Sequence, residues 1–212
     1  MTNNNESKTH KRLEGDLQAY FDLMLNAFEG ESERSIGIVS ICILDEQLEK
    51  LISSHFIKNA QVSSLFKSEH ILQTFYAKTN IAYFSGLIPK WLYEDLRILG
   101  KIRNKFAHEV ACNLHFSDQS VLKLINQCKL RLKILDGILS NPSSGTLAEM
   151  ARLQYIMITS RAGTYLSFYE GFLSKTRLPR LTEIVKMDED DIDKQALTKS
   201  EFLLAISKKP AC

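Results

Sequence analysis

The chain has 212 residues, 44% of them hydrophobic and 25% charged, a balance that suits one soluble domain with a core of its own. Lys and Arg number 27 against 25 Asp and Glu, so the formal charge is only +2 and a uniformly basic nucleic-acid coat is excluded. With 9 Gly and 4 Pro the chain is too poor in turn formers for an all-β protein or a disordered one.

Residues 1–11 are polar and aperiodic and read as a disordered lead-in. They lack the apolar stretch of a secretory signal, and no run reaches the ~18 apolar residues of a membrane span, so a cytoplasmic chain is expected. From Arg12 to Phe28, Leu13, Leu17, Tyr20, Phe21, Leu23, Met24 and Phe28 recur at helical spacing, and Gly30 ends that helix. Ser32 is a good N-cap for a second helix over residues 33–56, with Ile36, Val39, Ile43, Leu44, Leu48, Leu51 and Ile52 as its apolar stripe. Leu65 and Phe66 form a local plug in the linking stretch. A third helix carrying Leu72, Phe75, Ile81 and Phe84 is expected over residues 69–85, closed by Gly86. Pro89 suits the first turn of a fourth, on which Leu92, Leu96, Leu99, Ile102 and Phe106 keep step. Ser117 is read as the cap of a fifth, whose apolar residues run from Val121 to Leu135. The Asn141–Gly145 stretch is a turn between packed helices by composition, and a long helix follows over residues 146–172. No segment alternates like a strand. The expectation is an all-α single bundle of six to seven helices, with a helical domain over residues 12–178. An acidic tail with room for one short helix would follow over residues 179–212.

Other chemistry finds little footing. Cys42, Cys112 and Cys128 lie in apolar helical patterns and Cys212 is terminal, so reduced structural thiols are expected and neither metal nor cofactor is implied. No glycine-rich phosphate loop occurs. Asp45–Glu46, Glu94–Asp95 and Asp190–Asp191 are adjacent in sequence, so on a helix each pair diverges. Met150, Tyr155, Met157, Tyr165 and Tyr169 at helical spacing read as core or a dimer seam. The basic groups Lys8, Lys11 and Arg12, then Arg97, Lys101, Arg103 and Lys105, then Lys123, Lys129, Arg131 and Lys133, read as solvated faces.

The dense polar cluster is Lys101-Ile-Arg-Asn-Lys-Phe-Ala-His-Glu109, at the end of the fourth helix. At ~100° per residue Asn104 and His108 share a face nearly opposite Phe106, while Arg103 is displaced from His108 by about 140°. A guanidinium forks onto phosphate or carboxylate oxygens, and an imidazole moves protons near neutral pH. The same residues have a plain structural use: Arg103 pairing with Glu94, Asp45 or Glu46, and His108 capping its own helix.

Arg103-Asn-Lys-Phe-Ala-His108 resembles the R-x4-6-H motif of HEPN domains, which are helical bundles, often dimeric, and in many cases metal-independent ribonucleases. A longer likeness is carried by two blocks. Residues 33–52, ERSIGIVSICILDEQLEKLI, and residues 86–109, GLIPKWLYEDLRILGKIRNKFAHE, are similar to the mannitol operon repressor family, and the segment between them also fits. The likeness extends over roughly residues 12–140. It implies an all-helical bacterial regulator that represses sugar-alcohol uptake genes, with a HEPN-like core.

No pair of short helices reads as a helix-turn-helix and no Cys/His spacing makes a zinc finger, so direct DNA contact lacks a motif. A protein partner that itself binds DNA, and a homodimer, are the expected assemblies. The alternative is an endoribonuclease acting on RNA through Arg103, Asn104 and His108. The candidate functional surface comprises Arg34, Lys101, Arg103, Asn104, Lys105 and His108.

Overall fold

Ser32 opens the central helix as its side chain predicts: the Ser32 hydroxyl accepts a 3.1 Å hydrogen bond from the Ser35 N–H, satisfying a donor that the first turn leaves orphaned. A computed structural model describes residues 19–56, 63–67, 70–108, 113–132 and 144–176. The expected lead-in over residues 1–11 and the acidic tail over residues 179–212 lie outside the described residues. Helix α1 covers residues 19–27, and α2 runs Glu33–His55, one residue short of the expected end. Phe56 stops α2 by turning to extended backbone, while its N–H still bonds the Ile52 carbonyl. Along α2 the core stripe is Ile36, Ile41, Leu44, Leu48, Leu51 and Ile52. Val39, assigned to that stripe from the sequence, is instead 42% exposed, and Ile41 takes the inward position.

Helix α3 runs Phe75–Phe84, six residues shorter at its start than expected. Leu72 fits the helical period, but its N–H bonds the Leu65 carbonyl at 3.0 Å and ties the stretch into a turn. Thr74 then supplies the cap, its hydroxyl accepting from the Ala77 N–H at 3.1 Å. At the other end Gly86 has φ +70°, which a side chain would strain. Its N–H reaches the Tyr83 carbonyl at 2.9 Å, and the Leu87 N–H reaches that of Ala82 at 2.8 Å, completing a Schellman closure.

Pro89 stands one position before α4, which runs Lys90–His108, instead of inside its first turn. The Pro89 carbonyl accepts the first helical bond, from Tyr93. Helix α5 is only Gln119–Ile125; its N-cap position is Asp118 and not Ser117, and the Asp118 carboxylate turns back to the His115 N–H at 2.9 Å in place of capping the helix. It stops well before Leu135 because residues 129 and 130 give their N–H groups to Asp95 of α4, at 2.9 and 2.8 Å. Helix α6, Ser144–Thr176, starts inside the stretch expected to be loop and continues past Phe172.

The protein is an all-α bundle, with no strand among the described residues. Helices α2 and α6 form its most extensive contact, with α3 and α4 packed on α2. Gly37 makes the α2–α4 approach close: a Cβ there would stand 2.6 Å from Phe106 Cδ2. Phe106 meets Phe116 at 4.8 Å between ring centroids, and Phe116 stacks on Tyr155 at 4.5 Å. The Tyr155 hydroxyl shares a 2.9 Å hydrogen bond with Ser40 Oγ, so the polar tip of this trio of rings is paired. Tyr155, Tyr165 and Tyr169 are all buried, which makes that stripe core within one chain and not a seam.

Candidate functional site

The polar end of α4 behaves as its helical angles predict. Phe106 and Ile102 are buried, while Lys101, Asn104, Lys105 and His108 are exposed and Arg103 is half-buried. The three acids considered as partners for Arg103 are held by lysines. Glu94 lies 3.0 Å from Lys129 and 3.8 Å from Lys90, Glu46 lies 2.7 Å from Lys50, and Asp45 lies 2.9 Å from Lys78. Arg103 instead donates from Nη1 to Asn104 Oδ1 at 3.1 Å, and no ion pair joins it to a carboxylate among the described residues.

Arg34, at the start of α2, reaches the same segment from outside the helix. Its Nη2 donates to the Ala107 carbonyl at 3.2 Å, one of the last-turn acceptors that the helix cannot satisfy itself. The cation there also opposes the negative end of the α4 dipole. Arg34 is thus a brace for the segment that carries Arg103 and His108.

A groove of about 540 Å³ gathers part of the candidate surface. Its α4 wall carries Arg97, Gly100, Lys101 and Asn104, spaced i, i+3, i+4 and i+7, with Arg103 beside them. Its α2 wall carries Ile41, Cys42 and Asp45, and Gln73, Thr74, Phe75, Tyr76 and Thr79 close it from the α3 side. Gly100 keeps the floor open, since a Cβ there would already touch the Phe75 ring at 3.4 Å. Lys101, Arg103 and Asn104 therefore meet in one place, whereas Arg34, Lys105 and His108 are not part of this lining.

The charges around the groove are fixed by their neighbours. Arg97 lies 4.8 Å from the centre of the Tyr76 ring and 5.6 Å from that of Tyr93, and it donates to the Tyr93 hydroxyl at 2.8 Å. That hydroxyl bond is the main reason its guanidinium is held above its ordinary pKa. Lys78, buried on the far side of Asp45, bonds Asp45 Oδ2 and Glu49 Oε2, both at 2.9 Å. Burial lowers the Lys78 pKa, but the two carboxylates outweigh it and the net direction is upward. Asp45 Oδ1 is buried and has no hydrogen-bond partner among the described residues. Such an acceptor costs about 1–3 kcal/mol when left unmade.

Sequence reasoning named Asp45 only as an ion-pair partner for Arg103 and missed the rest of the α2 and α3 walls of the groove. Gln73 and Tyr76 carry no motif, and only packing brings them opposite Lys101 and Asn104. Asp95 was missed too, because its role is to hold backbone groups 34 and 35 residues away. Cys128 is buried, which pushes its thiol pKa well up, and Cys42 is exposed in the groove wall. No group of His, Cys, Asp and Glu among the described residues is arranged to hold a metal ion.

Fold and site together define an all-helical protein with a cation-lined groove between its second, third and fourth helices. The sequence matches the model of the mannitol repressor family, MtlR, over residues 24–159, well over half of its length. The chain belongs to that family. No curated protein matches it. Among solved structures it is similar to a chain in the X-ray structure of the MtlR–HPr complex from Escherichia coli, at 18% identity. The likeness covers 72% of this chain and 98% of the other, with a TM-score of 0.51, and it establishes a shared fold.

Proposed function

We propose that this protein is a negative regulator of sugar-alcohol uptake genes that works in the cytoplasm through a protein partner. The observation that carries the reading is the family match over residues 24–159. The partner is suggested by the structural neighbour, which was solved in a complex with HPr. An HPr-type protein, or a DNA-binding regulator, is the partner to test first.

Physical features of the chain favour the same division of labour. The charge of +2 supplies no general attraction for DNA. The described helices include no short pair with a second helix free to enter a major groove. A face for protein contact does exist: Tyr76 and Phe84 are 53% and 73% exposed, Tyr83 stacks on Tyr93 at 4.4 Å, and Arg97 lies against Tyr76. Aromatic residues and arginine are the types enriched where protein interfaces concentrate their binding energy.

The ribonuclease alternative finds no comparable support. Arg103 bonds its neighbour Asn104 and lines the groove, while His108 is outside that lining. A single His is not acid and base at once, so such a site would be easiest to build across a homodimer, an assembly we retain as part of the proposal.

The test is a gel shift on the promoter of the regulated genes, across salt concentrations. The purified protein alone is expected to give no shift below micromolar concentration, and to shift or supershift the promoter only when its partner is added. A sequence-specific shift by the protein alone would replace this mechanism with direct repression.

A further inference from the structure

We propose that the groove between α2, α3 and α4 binds a small phosphorylated polyol, so that the regulator carries its own metabolite sensor. The inference rests on the repressor reading for the polyol skeleton, and on the groove itself for the rest.

The groove has the size of a small-molecule site. Its volume of about 540 Å³ falls within the roughly 300–1,000 Å³ usual for such pockets. Its chemistry is divided along its length. Arg97, Lys101 and Arg103 place three cations on the α4 side, and Asn104 adds an amide there. Against them stands one carboxylate, Asp45, whose charge is already answered by Lys78 at 2.9 Å. The lining is therefore net positive, and it selects for an anion. A phosphate monoester carries close to two negative charges at neutral pH and offers oxygens that a guanidinium meets in a fork.

The remainder of the lining is mixed, with Ile41, Phe75, Tyr76 and Leu96 offering apolar surface to a carbon skeleton and polar side chains set among them. Gln73, Thr74, Thr79 and Asn104 are the polar groups along it that can meet hydroxyls. The cations set the direction of binding. A phosphate is drawn to Lys101 and Arg103 on the α4 side, which leaves the hydroxyl chain toward the α2 and α3 walls. Arg97 is poorly placed to swing freely, since the Tyr93 hydroxyl holds it at 2.8 Å beneath Tyr76. It acts as a fixed positive post beside a tyrosine that also belongs to the exposed aromatic face. Occupancy of the groove would thus be felt at Tyr76, on the surface available to a protein partner.

The experiment is isothermal titration of the full chain with mannitol 1-phosphate, and separately with mannitol and with inorganic phosphate. The ester is expected to bind saturably, at least tenfold more tightly than either half, and more weakly as salt rises. Arg103→Gln should weaken it tenfold or more and Lys101→Gln several-fold, with unchanged circular dichroism and melting, because both side chains reach solvent. Absence of saturable binding at millimolar ester would overturn the proposal. So would equal binding of inorganic phosphate, or binding unaffected by both substitutions. Loss of repression on deleting the gene tests the underlying reading separately. Repression without ester binding removes the sensor and keeps the repressor, and ester binding without repression does the reverse.

Discussion

Asp95 shows how much one side chain can hold. It sits on α4 with no exposed surface, and its two oxygens take the backbone N–H groups of Lys129 and Leu130. Burial is the larger influence and pushes its carboxyl up to about 6, although those two donors pull the other way. In the unfolded chain an Asp ionises near pH ~3.9. Between about pH 4 and pH 6 the folded protein therefore keeps a proton that the unfolded chain has released. The stability this group contributes is full below about pH 4 and is lost as pH rises through about 6, an effect of roughly 3 kcal/mol. Asp95→Asn should remove most of that dependence. In urea melts at pH 4.5 and pH 7 the difference between the two values should shrink by about 2 kcal/mol relative to wild type. An unchanged difference would place the pH dependence elsewhere.

At the scale of elements, arginines on one helix hold backbone carbonyls at the ends of, and between, its neighbours. Arg34 of α2 donates to the Ala107 carbonyl at the end of α4, and Arg152 of α6 donates to the Phe28 carbonyl at 2.6 Å. Arg161 of α6 likewise reaches the Leu130 carbonyl at 2.7 Å. Arg34→Ala should cost about 1 kcal/mol overall, since a hydrogen bond to a charged group is worth slightly more when fully shielded. Its clearest sign would be faster hydrogen exchange of the amides at 105–108, with the middle of α4 unchanged. Uniform exchange along α4 would mean that Arg34 does not brace that end.

These contacts also explain which elements could be read from sequence. Helix α2 was legible to within one residue because Ser32 and its apolar stripe are local signals. The closure of α3 was legible because Gly86 needs a positive φ. The start of α3 was not, since Leu72 fits the helical period but is held by Leu65. The length of α5 was not either, because Asp95 captures the backbone beyond it from another helix. The candidate site divides in the same way. Lys101, Arg103 and Asn104 could be found as a polar cluster on one helix, while Asp45, Gln73 and Tyr76 become their neighbours only through packing.

At the scale of the whole molecule, near-neutral charge and an aromatic, arginine-bearing face argue for action through another protein. No helix among the described residues is long and apolar enough to cross a membrane. The groove and the aromatic face share Tyr76 and α4, so a bound metabolite and a bound partner would act on one connected surface. Both proposed roles depend first on repression itself. Transcription of the sugar-alcohol uptake genes, followed in strains with and without this gene and without the polyol, tests that most directly. A marked rise is expected when the gene is deleted, restored to the low level by the intact gene in trans. Equal transcription in the two strains would contradict it.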